Sequence, residues 1–533
     1  MIKINLLCSK TIAKNNITIK LFGYCIGFSK FCNSILSSKK IIDRFFIIKQ
    51  LSKIVSGKFL ILIKTPKKEF LITDRFGFIP LFFSKKEEII SDDVKYLLSK
   101  INHLTINYEG ISSFLNYGYF LSDQFFVNEI KRIKAAQIIE FNGNSFLFKT
   151  YYTPNFLFNK KLTKNGLLKL KELFLEGMVL TKKELSNPKI ISDLSGGYDS
   201  RFVFLLDSEC DSCLTFDPGS DEFNNVLKIK KERDFNLYPI NTTDINKTHY
   251  LKLFEEYQGY VSLENPQHIK LIEFYRIHNF TACYDGFAGD AILGGSYLSA
   301  KKELLSNFGL KIKYDFSDFY IEKNFNTNLL NDNFNTFLIR KDLTKIEIKK
   351  YAVFNDLRKS LLLFKFYNRL SNFLVPAANI RNKQITSIFP FFYYPFFEEY
   401  TKYDFDELKT KNLYTKLIKI SLSKNQLKLS DNFFRINFLW PQKIRLLNLI
   451  KNRFFLKWGF RKDKRITDFK SKIMSDNELS AFIFDQVKKL KILKNSDQLD
   501  ISKDYISIIR LLTLSLFLQN YKHKIKDVDK LIK

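Results

Sequence analysis

Four apolar segments of strand length follow one another between residues 189 and 286, and helical patterns separate them. Strands that alternate with helices pair in parallel, because each helix carries the chain back across the sheet. The sequence therefore predicts a doubly wound parallel sheet, in which ligands bind at the carboxyl ends of the strands. The predicted strands cover residues 189–194, 214–216, 237–240 and 281–286, and the clearest helix runs from residue 221 to about residue 233.

A loop rich in glycine and serine follows the first of these strands. Ser195, Gly196, Gly197 and Ser200 lie between the strand and an apolar helical segment. The glycines let backbone N–H groups approach an anion, the serine hydroxyls donate hydrogen bonds, and the helix N-terminus adds partial positive charge. Asp199 would repel phosphates unless a divalent cation lay between them, so it indicates a nucleotide that carries Mg²⁺. The alternative is an ordinary glycine turn with a serine cap.

The net charge of the chain is +31, from 86 lysines and arginines against 55 aspartates and glutamates. Such an excess is typical of proteins that bind nucleic acid or anionic membranes. Here the lysines are spread along the chain, and lysine, isoleucine, asparagine and phenylalanine are abundant together, as an A+T-rich coding sequence would produce. We therefore predict neither nucleic acid nor membrane as a partner. The basic surface would at most help to attract an anionic substrate.

Length and apolar content indicate a folded protein of more than one domain, since 45% of the 533 residues are hydrophobic. The six cysteines show no disulfide framework, and Cys210 and Cys213 lack the second pair that a zinc site would need. The N-terminal residues lack the pattern of a signal peptide, and the apolar stretches are far shorter than the roughly 20 residues of a membrane span. These features predict a soluble, cytoplasmic protein with reduced thiols.

Residues 1 to about 160 have the pattern of a β-rich region. Apolar segments at residues 58–64 and 69–73 flank a turn and predict a β-hairpin. The string D-R-F-G-F-I-P-L-F-F at residues 74–83 resembles the D-R-x-G-x-x-P-L-Y-Y segment of the class II glutamine amidotransferase domain that begins class B asparagine synthetases. The resemblance implies an Ntn-hydrolase-like αββα sandwich. Further expected elements are a strand and helix within residues 89–98 and strands at residues 137–141 and 146–152.

The glycine-rich loop resembles the S-G-G-x-D-S pyrophosphate loop of N-type ATP pyrophosphatases. Two later segments extend the resemblance to the asparagine synthase family: residues 215–222 are similar to the strand end beside the adenine of ATP, and residues 285–295 are similar to G-x-G-x-D-E-x-F-G-G-Y. The resemblance spans roughly residues 50 to 300. It implies a degenerate amidotransferase-like domain at residues 1–160 and an asparagine synthase-like ATP pyrophosphatase domain at residues 161–533, which ends in a helical extension.

The same resemblance assigns roles to individual residues. Asp199 and Asp290 would hold Mg²⁺ on ATP, and hard carboxylate oxygens from two strand ends suit a cation that bridges phosphates. Without the other motifs, Asp290 would be interpreted as a solvated or helix-capping aspartate. The residues that would bind ATP are Ser195, Gly196, Gly197, Asp199, Ser200, Thr215 and Phe216.

Two positions depart from the family. In glutamine-dependent members a cysteine follows the initiator methionine and attacks the glutamine amide, whereas Ile2 follows Met1 here, and the family's N-G-E segment has no counterpart between residues 22 and 57. Cys8 would take that place only after removal of the residues before it. Phe287 stands where asparagine synthetases carry a glutamate and β-lactam synthetases a tyrosine, and phenylalanine cannot transfer a proton. Asp285 could take over this catalytic role, or it is an ordinary loop aspartate.

The leading hypothesis is an ATP-dependent amide ligase that forms AMP and pyrophosphate. It would adenylate a small carboxylate, aspartate-like or a tailoring substrate, and transfer nitrogen to it from an amine or ammonia donor other than glutamine, with ATP and Mg²⁺ as cofactors. A homodimer or a partner that supplies ammonia is compatible with the resemblance. The alternatives are a β-lactam-synthetase-like cyclase or sugar-acid amidating enzyme, and a catalytically inactive homologue that binds nucleotide.

Overall fold

A computed structural model of the chain describes residues 1–143, 145–195, 197–286, 289, 325–340, 344–351, 356–409, 412–428, 468–495 and 499–533. Within these ranges no helix is both long enough and apolar enough to cross a bilayer.

The first large sheet is antiparallel and contains the predicted hairpin. Its strand order is β11-β10-β5-β4-β3-β2, and the β4–β5 register runs from Leu60 opposite Thr73 to Lys64 opposite Glu69, which confirms the hairpin. Both faces of β4 are covered, which explains why this strand is a continuous apolar run. The strands are β2 Cys8–Lys14, β3 Ile17–Ile26, β4 Ser56–Lys64, β5 Glu69–Thr73, β10 Gln137–Phe141 and β11 Phe146–Thr150.

A second sheet, of strand order β1-β7-β6-β9, packs against the first through an apolar layer that includes Leu60, Leu62 and Ile90. Helices α1 and α2 cover the far side of the six-stranded sheet, and α3 and α4 cover the far side of the four-stranded sheet. The layer order is therefore αββα, as predicted. The elements are β1 Ile2–Lys3, α1 Phe28–Leu36, α2 Arg44–Gln50, β6 Phe82–Ser84, β7 Ile89–Ser91, α3 Val94–Lys100, α4 Tyr108–Tyr117 and β9 Lys131–Arg132.

The third sheet has five parallel strands in the order β14-β13-β12-β15-β16. Helices α6 and α7 pack on one face and α9 packs on the other, so the parallel sheet is doubly wound, as predicted. The strands and helices are α5 Lys164–Glu184, β12 Ile190–Asp193, α6 Tyr198–Leu206, β13 Ser212–Phe216, α7 Asp221–Glu232, β14 Asn236–Ile240, α8 Lys247–Tyr257, α9 His268–Ile277, β15 Ala282–Asp285 and β16 Thr386–Ile388.

The strand order places a topological switch point at β12. The chain moves outward from β12 through β13 to β14, and later returns to the other side of β12 as β15 and β16. Connections on the two sides of β12 therefore leave in opposite directions, and a crevice opens outside its carboxyl end. The loop after β12 borders this crevice.

The rest of the described chain is mainly helical, in agreement with the predicted helical extension, but it also returns to the N-terminal half. Helix α20, Ile501–Asn520, is buried around nearly its whole circumference between residues 507 and 518. It packs with α3 and α4. Strand β17 Ile525–Lys526 pairs in parallel with β8 Leu104–Thr105. The remaining helices are α10 Asp332–Arg340, α11 Thr344–Lys350, α12 Leu357–Phe364, α13 Val375–Ala378, α14 Tyr394–Tyr400, α15 Phe405–Lys409, α16 Asn412–Ser421, α17 Lys424–Lys428, α18 Phe469–Ser475, α19 Asn477–Lys488 and α20 Ile501–Asn520.

The predicted domain boundary between residues 160 and 161 falls between β11 and α5 along the chain. Because the C-terminal helices share an apolar core with the N-terminal half, the division at this position stays a prediction.

Candidate functional site

The loop after β12 forms the strand–loop–helix connection that the sequence predicts. Ser195 and Ser200 close the loop: their hydroxyl oxygens are 3.1 Å apart, and the Ser195 N–H donates to Ser200 Oγ at 3.2 Å. The N–H of Gly197 donates to Ser195 Oγ at 3.3 Å, and α6 begins at Tyr198. A closed loop at a helix N-terminus presents N–H groups and the positive end of the helix dipole to an anion. Gly196 lies outside the described residues.

Asp199 lies in the first turn of α6, at the entrance to the crevice. Its Oδ1 accepts a hydrogen bond from the Tyr414 hydroxyl. A Cβ atom built on Gly289 would lie 2.8 Å from the Asp199 carboxyl carbon, and one on Gly286 would overlap the backbone of Ser200. The segment after β15 therefore approaches α6 so closely that glycine is required at both positions. Asp290 and Phe287 belong to this segment and lie outside the described residues.

Thr215 and Phe216 end the neighbouring strand β13 and lie on opposite faces of the sheet. The Thr215 side chain is 2% exposed, and its hydroxyl has no hydrogen-bond partner in the structure. The Ser192 hydroxyl, near the end of β12, is buried without a partner as well. Buried hydroxyls without partners are uncommon, and this pair lies within two residues of its strand ends. Phe216 is half-buried against the opposite apolar layer.

Asp285 takes part in a buried ion-pair cluster. Asp193 and Asp285 are direct neighbours at the ends of β12 and β15, and the guanidinium of Arg381, which is 2% exposed, donates to both carboxylates. Burial alone would lower the pKa of Arg381, but the neighbouring negative groups, Asp193 first, raise it well above its ordinary value. Asp193 also accepts hydrogen bonds from Tyr275 Oη at 2.9 Å and Cys283 Sγ at 3.0 Å. Arg381 thus bridges the two carboxylates.

Neither Asp193 nor Arg381 was a candidate from the sequence. A carboxylate that ends an otherwise apolar strand was a usable signal for Asp193, because strand ends carry ligands in this fold. Arg381 gave no such signal, since it is 96 residues from Asp285 along the chain and precedes β16, which the sequence did not predict.

Lys58 connects the αββα sandwich to the same edge of the parallel sheet. It begins the inward face of β4, is 4% exposed, and its Nζ lies 5.6 Å from the centre of the Phe389 ring, just after β16. Burial lowers the pKa of Lys58 to about 7. The positive charge of Arg381 adds to this shift, and Asp74 and Asp285 partly oppose it. The sequence did not reveal this lysine, because a charged residue at a strand end is ordinarily solvated.

The D-R-F-G string forms a tight turn beside Lys58. The buried carboxylate of Asp74 accepts hydrogen bonds from the N–H groups of Phe76 and Gly77, both at 2.9 Å, yet burial still raises its pKa to about 6. Phe78, at the end of the turn, stacks on Phe389 with ring centres 5.0 Å apart. The string therefore anchors the sandwich to the parallel sheet through aromatic rings.

The cysteines of the sandwich lie in different environments. Cys8 is exposed in β2, and its thiol donates to the Lys10 carbonyl at 3.3 Å. Cys25 and Cys32 are buried; burial raises the pKa of Cys32 to about 12 and that of Cys25 well above its usual value. Thiols with raised pKa values are poor nucleophiles, because the thiolate is the reactive form.

The comparisons with known proteins concern the N-terminal half. Residues 49–152 match the family model of the glutamine amidotransferase domain. The chain thus carries a glutamine amidotransferase domain, which includes the β4–β5 hairpin, Lys58 and the Asp74 turn.

Among solved structures, the chain is similar to the allosteric regulatory enzyme of purine biosynthesis, with 9% identity over 35% of this chain and a TM-score of 0.17. It is also similar to glutamine phosphoribosylpyrophosphate amidotransferase from B. subtilis in complex with ADP and GMP, with 9% identity over 35% of this chain and a TM-score of 0.16. The chain spans 42% and 43% of the lengths of these two proteins. These TM-scores are too low to support an argument. No curated protein matches the chain.

Proposed function

We propose that the crevice at the carboxyl edge of the parallel sheet binds Mg²⁺–ATP, and that the chain is an amide ligase of the asparagine synthase type. The observation that carries the proposal is the position of Asp199. It lies at a helix N-terminus in a serine-closed loop, and Gly286 and Gly289 approach it closely.

The described residues suit a cation that binds together with the phosphates of a nucleotide. Magnesium in nucleotide sites uses one or two carboxylates together with phosphate oxygens and waters, and Asp199 and Asp290 would supply them. In the part of the chain that the structure describes, no three acidic, histidine or cysteine side chains converge as an all-protein cage would require.

The proposed reaction has two steps. The carboxylate of the substrate attacks the α-phosphorus of ATP to form an acyl-adenylate and release pyrophosphate; a nitrogen nucleophile then attacks the acyl carbon and displaces AMP. Ser195, Gly196, Gly197 and Ser200 would stabilise the charge on the leaving pyrophosphate with donors that the loop holds in place. Mg²⁺ held by Asp199 would neutralise phosphate charge.

The nitrogen source is proposed to be ammonia or an amine and not glutamine. Glutamine hydrolysis in this domain type needs a reactive thiolate, and the raised pKa values of Cys25 and Cys32 disfavour that form. Cys8 is exposed on β2. The amidotransferase domain would then serve to complete the synthetase site through Lys58 and the aromatic contacts of the Asp74 turn.

The Arg381 pairing favours a second candidate, a homologue that binds nucleotide without turnover. A carboxylate held by a buried guanidinium is stabilised as the anion and is a poor proton donor, so Asp285 loses support as the group that replaces the missing acid at residue 287.

The test is ATP–pyrophosphate exchange with the full chain and a panel of carboxylates that includes aspartate, amino-acid-derived β-carboxylates and sugar acids. The proposed ligase gives exchange that depends on Mg²⁺ and on one acceptor class, and that class separates an asparagine-type ligase from a cyclase or a sugar-acid enzyme. Tight Mg²⁺–ATP binding without exchange for any acceptor would favour the non-catalytic homologue.

A further inference from the structure

The hydroxyl of Tyr414 donates a hydrogen bond to Asp199, the predicted metal ligand, from a distant part of the chain. It lies on α16, is 3% exposed, and its Oη donates to Asp199 Oδ1 across a sequence separation of 215 residues. The helix packs on α5 through an apolar cluster that includes Leu413 and Leu417. The tyrosine is therefore held by packing that does not involve Asp199.

Phe391 lies beside both Tyr414 and Gly289. Its ring packs edge-on against the Tyr414 ring with centres 6.5 Å apart. A Cβ on Gly289 would lie 2.7 Å from the Phe391 ring and 2.8 Å from the Asp199 carboxyl carbon. Tyr414 and the backbone at Gly289 are therefore both neighbours of the Asp199 carboxylate, and Phe391 packs beside both of them.

A hydrogen bond to one carboxylate oxygen has a specific effect on a metal ligand. The phenol of Tyr414 donates to Oδ1 and so restrains the orientation of the Asp199 carboxylate. Outer partners of this kind orient ligands, and their removal typically lowers metal affinity by about 10–100-fold. A phenylalanine would fill the same space in the apolar cluster, so packing does not explain the hydroxyl of Tyr414.

We propose that Tyr414 is a positioning residue for the Mg²⁺ ligand Asp199, and that it sets the affinity of the crevice for the metal-bound form of ATP. This inference rests on the proposed function. It concerns the metal-dependent part of nucleotide binding, because Tyr414 acts on the carboxylate and not on the serine and glycine donors of the loop.

The test compares Tyr414→Phe with the wild-type chain by titration calorimetry, with ATP as the probe in excess Mg²⁺ and in EDTA. We expect Mg²⁺–ATP affinity to fall by about 10–100-fold and affinity for metal-free ATP to stay unchanged. Tyr403→Phe is the matched control, because Tyr403 is a fully buried tyrosine of the same cluster that lies beside Lys160; it should leave both affinities unchanged. A second readout is Mn²⁺ binding at saturating ATP, measured by electron paramagnetic resonance, which should weaken by the same factor.

The outcomes separate the two proposals. Equal or tighter Mg²⁺–ATP binding by Tyr414→Phe would overturn the positioning role and leave the proposed function intact. Parallel losses with and without Mg²⁺ would show that Tyr414 supports only the fold of the loop, and would also overturn it. If the wild-type chain does not bind Mg²⁺–ATP, both proposals fail.

Discussion

The burial of Lys58 predicts how the free energy of unfolding changes with pH. Its folded-state pKa is about 7, lowered from 10.5, which corresponds to about 5 kcal/mol at 1.36 kcal/mol per pKa unit. Below pH 7 the folded protein must bury a charged ammonium, so this penalty is fully present. Between pH 7 and pH 10.5 the unfolded chain binds the extra proton, and the penalty is progressively relieved as the pH rises.

Replacing Lys58 with methionine removes the amine and keeps most of the side-chain volume. Lys58→Met should therefore be more stable than the wild type at pH 6.5, by up to about 5 kcal/mol, and the difference should shrink by as much as about 1.4 kcal/mol per pH unit above pH 7. Urea unfolding followed by circular dichroism at several pH values between 6.5 and 10 measures the difference. The control is Lys53→Met, an exposed lysine in the segment before β4, whose effect should be small at every pH.

Burial and the repulsion of Arg381 outweigh the attraction of Asp74 and Asp285 in lowering the pKa of Lys58. If Lys58→Met is less stable than the wild type across the whole range, or if the difference does not change with pH, the lysine is charged and well paired in the folded state. The inferred environment of Lys58 would then be wrong.

Three further predictions concern the residues around the crevice. Arg381→Met should destabilise the protein by about 3–5 kcal/mol, because it leaves the carboxylates of Asp193 and Asp285 buried without their shared partner; thermal unfolding measures this, and a change below 1 kcal/mol would show that the cluster is solvated. Asp285→Asn should reduce pyrophosphate exchange and amide formation by the same factor, because Asp285 is paired with Arg381; a loss of about 10²–10⁴-fold confined to amide formation would show that the carboxylate moves a proton. The full chain should release no glutamate from glutamine; steady release that Cys8→Ala abolishes would restore a glutamine-dependent reaction.

The sequence predicted strands and turns well where a single cause, burial or turn geometry, determines the local residue pattern. The β4–β5 hairpin and β12 to β15 were predictable because buried strands need apolar runs and turns need glycine, proline or polar residues. Strand β16 was not predicted, since it is only three residues long and begins with polar side chains. Because this strand was not predicted, Arg381, which lies in the short helical turn Asn379–Lys383 before it, was not identified as a candidate either.

The candidate site was predictable only in part, because its electrostatics depend on long-range contacts. Asp199 and the serine-closed loop follow from a contiguous motif, whereas Lys58, Arg381 and Tyr414 reach the crevice from elements 96 or more residues away along the chain. Hydrophobic periodicity and motif spacing do not indicate which residues far apart in the sequence come into contact. The alternatives for Asp285, a proton-transferring group or a structural aspartate, depend on the contact with Arg381 that the sequence does not reveal.

Titration calorimetry measures whether Asp199 binds a cation on ATP, as we propose. The wild-type chain should bind ATP more tightly in excess Mg²⁺ than in EDTA, and Asp199→Asn should lose that difference while its thermal unfolding stays within a few degrees of the wild type. Asp234→Asn, at an exposed position near the end of α7, should behave as the wild type. Unchanged Mg²⁺-dependent affinity in Asp199→Asn, or no binding of Mg²⁺–ATP by the wild type, would contradict the account.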